Sequence, residues 1–374
     1  MNDPRMPAKF TLPAVDAADV AARVAATIRP EIRALSAYAV AKADGMIKLD
    51  AMENPYVLPA AVRARLAAAL ADVAVNRYPD GGGETVKRAL RSSLGLPDDV
   101  GLILGNGSDE LLQLITTAVA KPRAAVLAPD PSFVMYRLDA VYANARFVAV
   151  PLTADFGLDV DAMLAAIQWE QPALVWLAYP NNPTGNLFDA DAVARIIRAA
   201  PGLVCVDEAY YAFASRSFLP RVLEFANLVV VRTVSKIGMA GLRLGYAVGH
   251  PQWIAEFEKV RPPYNVNALT QAALPILLAE HELLNAQATA IRAERARLAA
   301  ALARLPGVTV YPSETNFVVA RVSDAPKWFA ALRDAGVLVK NLHGWHPLLV
   351  NCLRITVGTP AENDTLLGVL ERLS

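Results

Sequence analysis

The stretch Val229–Gly249, VVVRTVSKIGMAGLRLGYAVG, sets one lysine, Lys236, at the end of an apolar run. One arginine, Arg243, follows across a glycine-punctuated turn. A lysine at a strand end is ordinarily solvated; a buried one loses proton affinity and becomes a nucleophile and base. Three other stretches bear on which it is. In GNGSDE (Gly105–Glu110) a strand ends, glycines turn the chain, and a helix is expected to start with Ser108 as its N-cap. The open N–H groups of such a start, with the Ser108 hydroxyl, suit a phosphate, although an ordinary capped turn reads the same way. In YPNNPTG (Tyr179–Gly185) a proline-flanked turn can hold an asparagine side chain rigidly, or be only a loop. In VCVDEAYYAF (Val204–Phe213) Asp207 ends an apolar strand, where a charge is costly unless paired; it faces a cationic ring or caps the next helix. Taken together, an amine, a carboxylate, hydrogen-bond donors for a ring oxygen and a phosphate cradle are what pyridoxal phosphate needs.

Such groups meet only if the strands that carry them lie side by side. Short apolar runs, among them GLILG, AAVLAP, RFVAV, ALVWLAYP, LVCVDEAY and NLVVVRTVS, alternate with helix-length spacers such as Ala60–Val75 and Ser108–Ala120. Continuous apolar strands alternating with helices predict an α/β fold, a mainly parallel sheet covered on both faces. In such sheets ligands gather at the carboxyl ends of the strands, where all four motifs fall. Past Val260 the pattern changes to a long alanine-rich helix (about His281–Leu305), a helix around Pro326–Ala335 and short strands, which predicts a smaller α+β domain. The expected division is 1–50 as an N-terminal arm and start of the small domain, 51–262 as the large domain and 263–374 as the small one.

Composition narrows the class. The 374 residues are 55% hydrophobic and carry 36 basic against 36 acidic side chains, so nothing electrostatic points to nucleic acid or an anionic membrane. Two cysteines, Cys205 and Cys352, make no disulfide framework and fit a reducing, cytoplasmic setting. The first twenty residues lack the apolar core of a signal peptide, and no window reads as a membrane span. No metal is expected.

In combination, YPNNPTG, DEAY, SKIGMAGLRLGY, ETNF and NCLRITVG resemble the fold-type I, class II aminotransferases, most closely the histidinol-phosphate aminotransferases, from about Ile28 to the C-terminus. The resemblance implies a large domain with a seven-stranded sheet and a role for each matching residue. Lys236 carries pyridoxal 5′-phosphate as a Schiff base and then shuttles the substrate proton. Asp207 pairs with the pyridine nitrogen, and Tyr210 and Asn182 bond the ring oxygen. Phe133, in DPSFVMY, stacks on the ring. Ser108, Asp109, Ser235 and Arg243 form the phosphate site. Tyr56, in MENPY, reaches the cofactor phosphate of a neighbouring subunit, which implies a homodimer with a shared site. Arg354 anchors the substrate anion, with Lys340 and Tyr38 of the arm nearby and Asn316 of ETNF in the small domain. Two departures stand out: the Lys340 position is often arginine in such enzymes, and Arg243 follows Lys236 by seven residues where some have eight.

The expected reaction is transamination between L-histidinol phosphate and 2-oxoglutarate, giving 3-(imidazol-4-yl)-2-oxopropyl phosphate and L-glutamate in a ping-pong course. An aminotransferase for aromatic amino acids shares every cofactor residue, and a phospho-amino-acid decarboxylase shares the fold. A cofactor-binding regulator would need a DNA-binding module for which the first fifty residues leave no obvious room. A dinucleotide-binding dehydrogenase is disfavoured because GNGSDE lacks the third glycine.

Overall fold

The computed structural model describes residues 15–37 and 41–373. Residues Met1–Lys42 and Ala43–Ser374 are separate compact units. In the first, the helix Ala17–Thr27 is capped by Asp16, whose carboxylate accepts from the Ala18 N–H at 2.9 Å, and its residues are exposed. Tyr38 lies outside the described residues.

In the second unit the described strands are β1 (Ile47–Lys48), β2 (Gly101–Gly105), β3 (Ala125–Asp130), β4 (Arg146–Pro151), β5 (Leu174–Ala178), β6 (Leu203–Asp207), β7 (Leu228–Thr233), β8 (Gly245–Gly249), β9 (Thr309–Val310), β10 (Phe317–Arg321), β11 (Val337–Leu338), β12 (Lys340–Asn341) and β13 (Cys352–Thr356). Seven form one sheet in the order β2-β8-β7-β6-β5-β3-β4. β7, β6, β5, β3 and β4 pair in parallel, and β8 runs antiparallel to both its neighbours. Residues alternate between two apolar cores along each central strand. Val175, Leu177, Val204, Val206, Leu228 and Val230 enter one core, and Leu174, Trp176, Leu203, Cys205, Val229 and Val231 enter the other. All twelve are fully buried, so the continuous apolar runs reflect burial on both faces.

A second, antiparallel sheet has the order β12-β13-β10-β9, and β1 pairs in parallel with β11. The helix expected over His281–Leu305 spans His281–Leu302, and that around Pro326–Ala335 spans Ala325–Asp334. The helix expected over Ala60–Val75 stops at Ala71. One local expectation fails. Ser108 is the first residue of its helix, Ser108–Val119, and not its cap. Gly107 caps it at φ +84°, a left-handed conformation suited to glycine, and no side chain caps the end.

Candidate active site

Strand register brings the four motifs together. Gly105 faces Gly245, and Gly245 faces Thr233, across β2, β8 and β7. The loop after β2 therefore lies beside the β7–β8 hairpin that carries Ser235, Lys236 and Arg243. A Cβ on Gly245 would lie 2.5 Å from the Ser108 nitrogen, and a Cβ on Gly107 would lie 2.6 Å from Arg243 Nη2. The Arg243 guanidinium thus rests against the glycine that opens the helix. Asp109 is 3.6 Å from Arg243, both side chains half exposed, so that pair adds little to stability. Ser235 is buried, with its Oγ 2.8 Å from the Thr233 hydroxyl. Ser108, Asp109, Ser235 and Arg243 therefore lie around one corner, at a helix start that no side-chain cap closes.

One strand over, Asp207 ends β6 and is 5% exposed. Its carboxylate accepts from Tyr136 Oη at 2.8 Å and from the Ala209 N–H at 3.0 Å. Burial dominates these bonds and raises its pKa to about 6. Tyr136 stacks on Trp176, ring centres 5.1 Å apart, and takes Phe133 edge-on at 5.8 Å. Phe133 and Asp207 therefore belong to one aromatic cluster whose link is Tyr136, a residue in the same DPSFVMY run that sequence reasoning passed over.

Glu208 points the other way, as strand alternation requires. Arg232 donates to it through Nε at 3.0 Å and Nη2 at 2.8 Å, and lies over the Tyr211 ring at 4.1 Å. Ser217 and the Phe218 N–H complete its shell. This buried pair fixes the DEAY turn from the core side.

Asn181 ties YPNNPTG to the Phe133 loop: it donates to the Pro131 carbonyl at 3.0 Å and accepts from Ser132 Oγ at 2.8 Å. Its neighbour Asn182, 7% exposed, accepts from Arg354 Nη1 at 2.7 Å. With Oδ1 so engaged, the amide nitrogen is what Asn182 can offer an oxygen.

Lys236 is half-buried. Its Nζ is 3.4 Å from the Ala51 carbonyl and 5.9 Å from the centre of the buried Tyr210 ring. Burial, then the positive charge of Arg354, lowers its pKa from the ordinary lysine range to about 8. Tyr210 meets Phe317 edge-on at 5.4 Å, and the Arg354 guanidinium lies 5.3 Å from the same Phe317 ring.

Arg354 is 6% exposed on β13 and also donates to the Asp50 carbonyl at 3.0 Å. Lys340 on β12 is its direct cross-strand neighbour. The Lys340 ammonium sits 4.8 Å from the Trp345 ring centre. Burial and Arg354 lower its pKa, against a smaller opposing pull from Asp50. Asn316 donates to the Met52 carbonyl at 2.8 Å. Tyr56 is half-buried against the large core, and its N–H donates to Asn54 Oδ1 at 2.9 Å.

Residues 44–370 match the family model described as aminotransferase class I and II. The chain belongs to that family. It is 56% identical over 345 residues to a histidinol-phosphate aminotransferase of Chromobacterium violaceum, covering 92% of this chain and 97% of that one. It is 52% identical over 352 residues to histidinol-phosphate aminotransferase 2 of Bordetella bronchiseptica, covering 93% and 96%. Among solved structures it resembles histidinol-phosphate aminotransferase from Sinorhizobium meliloti in complex with pyridoxal-5′-phosphate: TM-score 0.82, 27% identity, 93% of this chain and 97% of that one. L-threonine-O-3-phosphate decarboxylase from Porphyromonas gingivalis, at TM-score 0.74 and 22% identity over 88% of this chain and 99% of that one, shares the fold alone. The α/β architecture and the aminotransferase class expected from the motifs both hold. Among the described residues no cluster of His, Cys, Asp and Glu could hold a metal, and no helix is long and apolar enough to cross a membrane.

Proposed function

We propose that this chain transfers the amino group of L-histidinol phosphate to 2-oxoglutarate, using pyridoxal 5′-phosphate. The residues fit the cofactor. Asp207 is a buried carboxylate held by hydrogen bonds, with no ion pair among the described residues, and a protonated pyridine nitrogen would supply a counter-charge. The helix start at Ser108, with Asp109, Ser235 and Arg243, suits the cofactor phosphate. Asn182 and Tyr210 suit the ring oxygen, and Phe133 the ring face. When bound, the cofactor acts as an electron sink that acidifies the substrate Cα–H.

The chain's own contribution centres on Lys236. At a pKa of about 8, about one molecule in ten has its free amine at pH 7, against about one in three thousand for an ordinary lysine. Arg354 helps to hold that value, so the residue that anchors the substrate also tunes the base. Lys236 would take the proton from the substrate Cα and deliver it to C4′ of the cofactor.

The observation that carries the substrate assignment is the register of β12 and β13, which places Lys340 directly opposite Arg354. Like charges facing each other across a ladder are destabilising, and a bound anion relieves them. Two cations suit a dianionic phosphate better than a monoanionic carboxylate. We further propose that the chain works as a cytoplasmic homodimer in which Tyr56 reaches the partner's cofactor phosphate, and that 51–262 and 263–374 act as large and small domains. Tyr38 remains a proposed substrate neighbour.

The assignment is tested by mixing the cofactor-loaded protein, without any oxo acid, with histidinol phosphate, phenylalanine or tyrosine. Rapid loss of the visible band with histidinol phosphate, at least about 100-fold faster than with the others, is expected. A faster reaction with phenylalanine would move the assignment to an aromatic aminotransferase.

A further inference from the structure

We propose that Asn54 is a positioning residue for Lys236. The proposal rests on Lys236 being the reactive amine. Lys236 lies in an irregular turn, Ser235–Met239, which the Met239 N–H closes onto the Val234 carbonyl at 3.2 Å. Gly238 within it takes φ +122°, which interrupts the helical geometry of the turn. The carbonyl of Ile237, the residue after Lys236, finds its donor outside the turn: Asn54 Nδ2, at 3.1 Å. The same nitrogen donates to Gln287 Oε1 at 2.9 Å, and Asn54 Oδ1 accepts from the Tyr56 N–H at 2.9 Å. Both amide protons and the amide oxygen are therefore used in three directions: the lysine turn, the helix His281–Leu302 and the Tyr56 backbone.

The fit is close. A Cβ on Gly238 would lie 3.0 Å from Asn54 Nδ2 and 3.7 Å from Gln287 Oε1. Gln287 is 9% exposed, so its amide oxygen depends on Asn54 for a donor in place of water. The chain around Asn54 holds the other end of the lysine as well, since the Ala51 carbonyl is 3.4 Å from Nζ. That segment is itself anchored. The Asp50 carbonyl accepts from Arg354 at 3.0 Å, the Met52 N–H donates to Thr356 Oγ1 at 3.0 Å, and the Met52 carbonyl accepts from Asn316 at 2.8 Å. Residues 50–56 form a strap between the anion-binding arginine and the lysine turn, and Asn54 is where the strap grips the turn. Without it, the Ile237 peptide is free to rotate and Nζ to leave the position where it meets a proton. Displacements on the order of 1 Å at a reacting group cost up to about 100-fold in rate.

The experiment uses cofactor-loaded protein and two readouts: the pH titration of the visible band, and the separate effects on kcat and KM for histidinol phosphate. Asn54→Ala is expected to shift the titration midpoint by about half a pH unit or more. It is also expected to lower kcat about tenfold with KM within about twofold. Gln287→Met, which removes only the support of Asn54, is expected to do the same more weakly. The double variant should be no worse than Asn54→Ala, because both act through one contact. A wild-type titration and kcat in Asn54→Ala overturn the proposal. So do additive effects in the double variant. Should Asn54→Ala not fold, an unshifted midpoint in Gln287→Met overturns it alone. The underlying assignment of Lys236 is judged separately, by whether the wild-type visible band is absent in Lys236→Ala.

Discussion

Asp207 and Glu208 are adjacent, both buried and both acidic, and the two sides of the sheet treat them oppositely. Glu208 faces a core that gives it an arginine, a hydroxyl and a backbone N–H. Asp207 has a tyrosine hydroxyl and one backbone N–H, with no ion pair among the described residues, and its pKa climbs to about 6. A buried carboxylate with its counter-charge inside the fold is structural. One without an ion pair inside the fold is suited to a ligand's charge, which is the role we propose for Asp207.

Breaking the structural side should have the largest effect. Glu208→Gln leaves Arg232 buried without its partner charge and is expected to cost about 3–5 kcal/mol, read as a drop in the denaturant midpoint. Asp207→Asn should instead leave folding intact and lower kcat by about 10²–10³-fold, as loss of a preorganised charge does elsewhere. An equal loss of stability in the two variants would erase the distinction between the sides.

The anion side sharpens the comparison, because Arg354 acts on two lysines at once. Arg354→Met is expected to raise KM for histidinol phosphate on the order of 30-fold or more. It should also raise the pKa of Lys236 above about 8, moving the acid limb of the kcat profile to higher pH. A KM effect without that movement would separate the two roles. The smallest effect is expected at Trp345, whose ring faces Lys340. Trp345→Ala should raise KM for histidinol phosphate about two- to fivefold, the scale of an exposed cation–π contact, and leave the glutamate half-reaction unchanged.

Much of this was legible in the sequence where chemistry and local order coincide. Strand-end position marked Asp207, Lys236, Asn182 and the Ser108 turn, and apolar runs marked the doubly covered sheet. What was not legible depends on contacts between distant segments. Tyr136 reaches Asp207 across 71 residues, and Asn54 reaches Ile237 across 183. No periodicity encodes either. Arg232 sits in a run read only as an apolar strand, and its partner Glu208 lies 24 residues away. Ser108 had the residue type of a cap, but Gly107 could adopt the backbone angle that brings the turn against Arg243. The pairing of Lys340 with Arg354 required a register that neither short strand announces.

The central claim, that Asp207 waits for a cation from the cofactor, is tested most directly by thermal melts of wild type and Asp207→Asn, each with and without pyridoxal 5′-phosphate. Between pH of about 4 and the value of about 6, the folded cofactor-free chain holds a proton that the unfolded chain has released. Stability therefore falls as pH rises through that window. The loss is fully present at pH 7, at up to about 3 kcal/mol. Cofactor-free Asp207→Asn is accordingly expected to melt above cofactor-free wild type at pH 7, and the order should reverse when both are loaded. If the substitution lowers the melting temperature equally in both states, Asp207 is an ordinary structural carboxylate and the account is wrong.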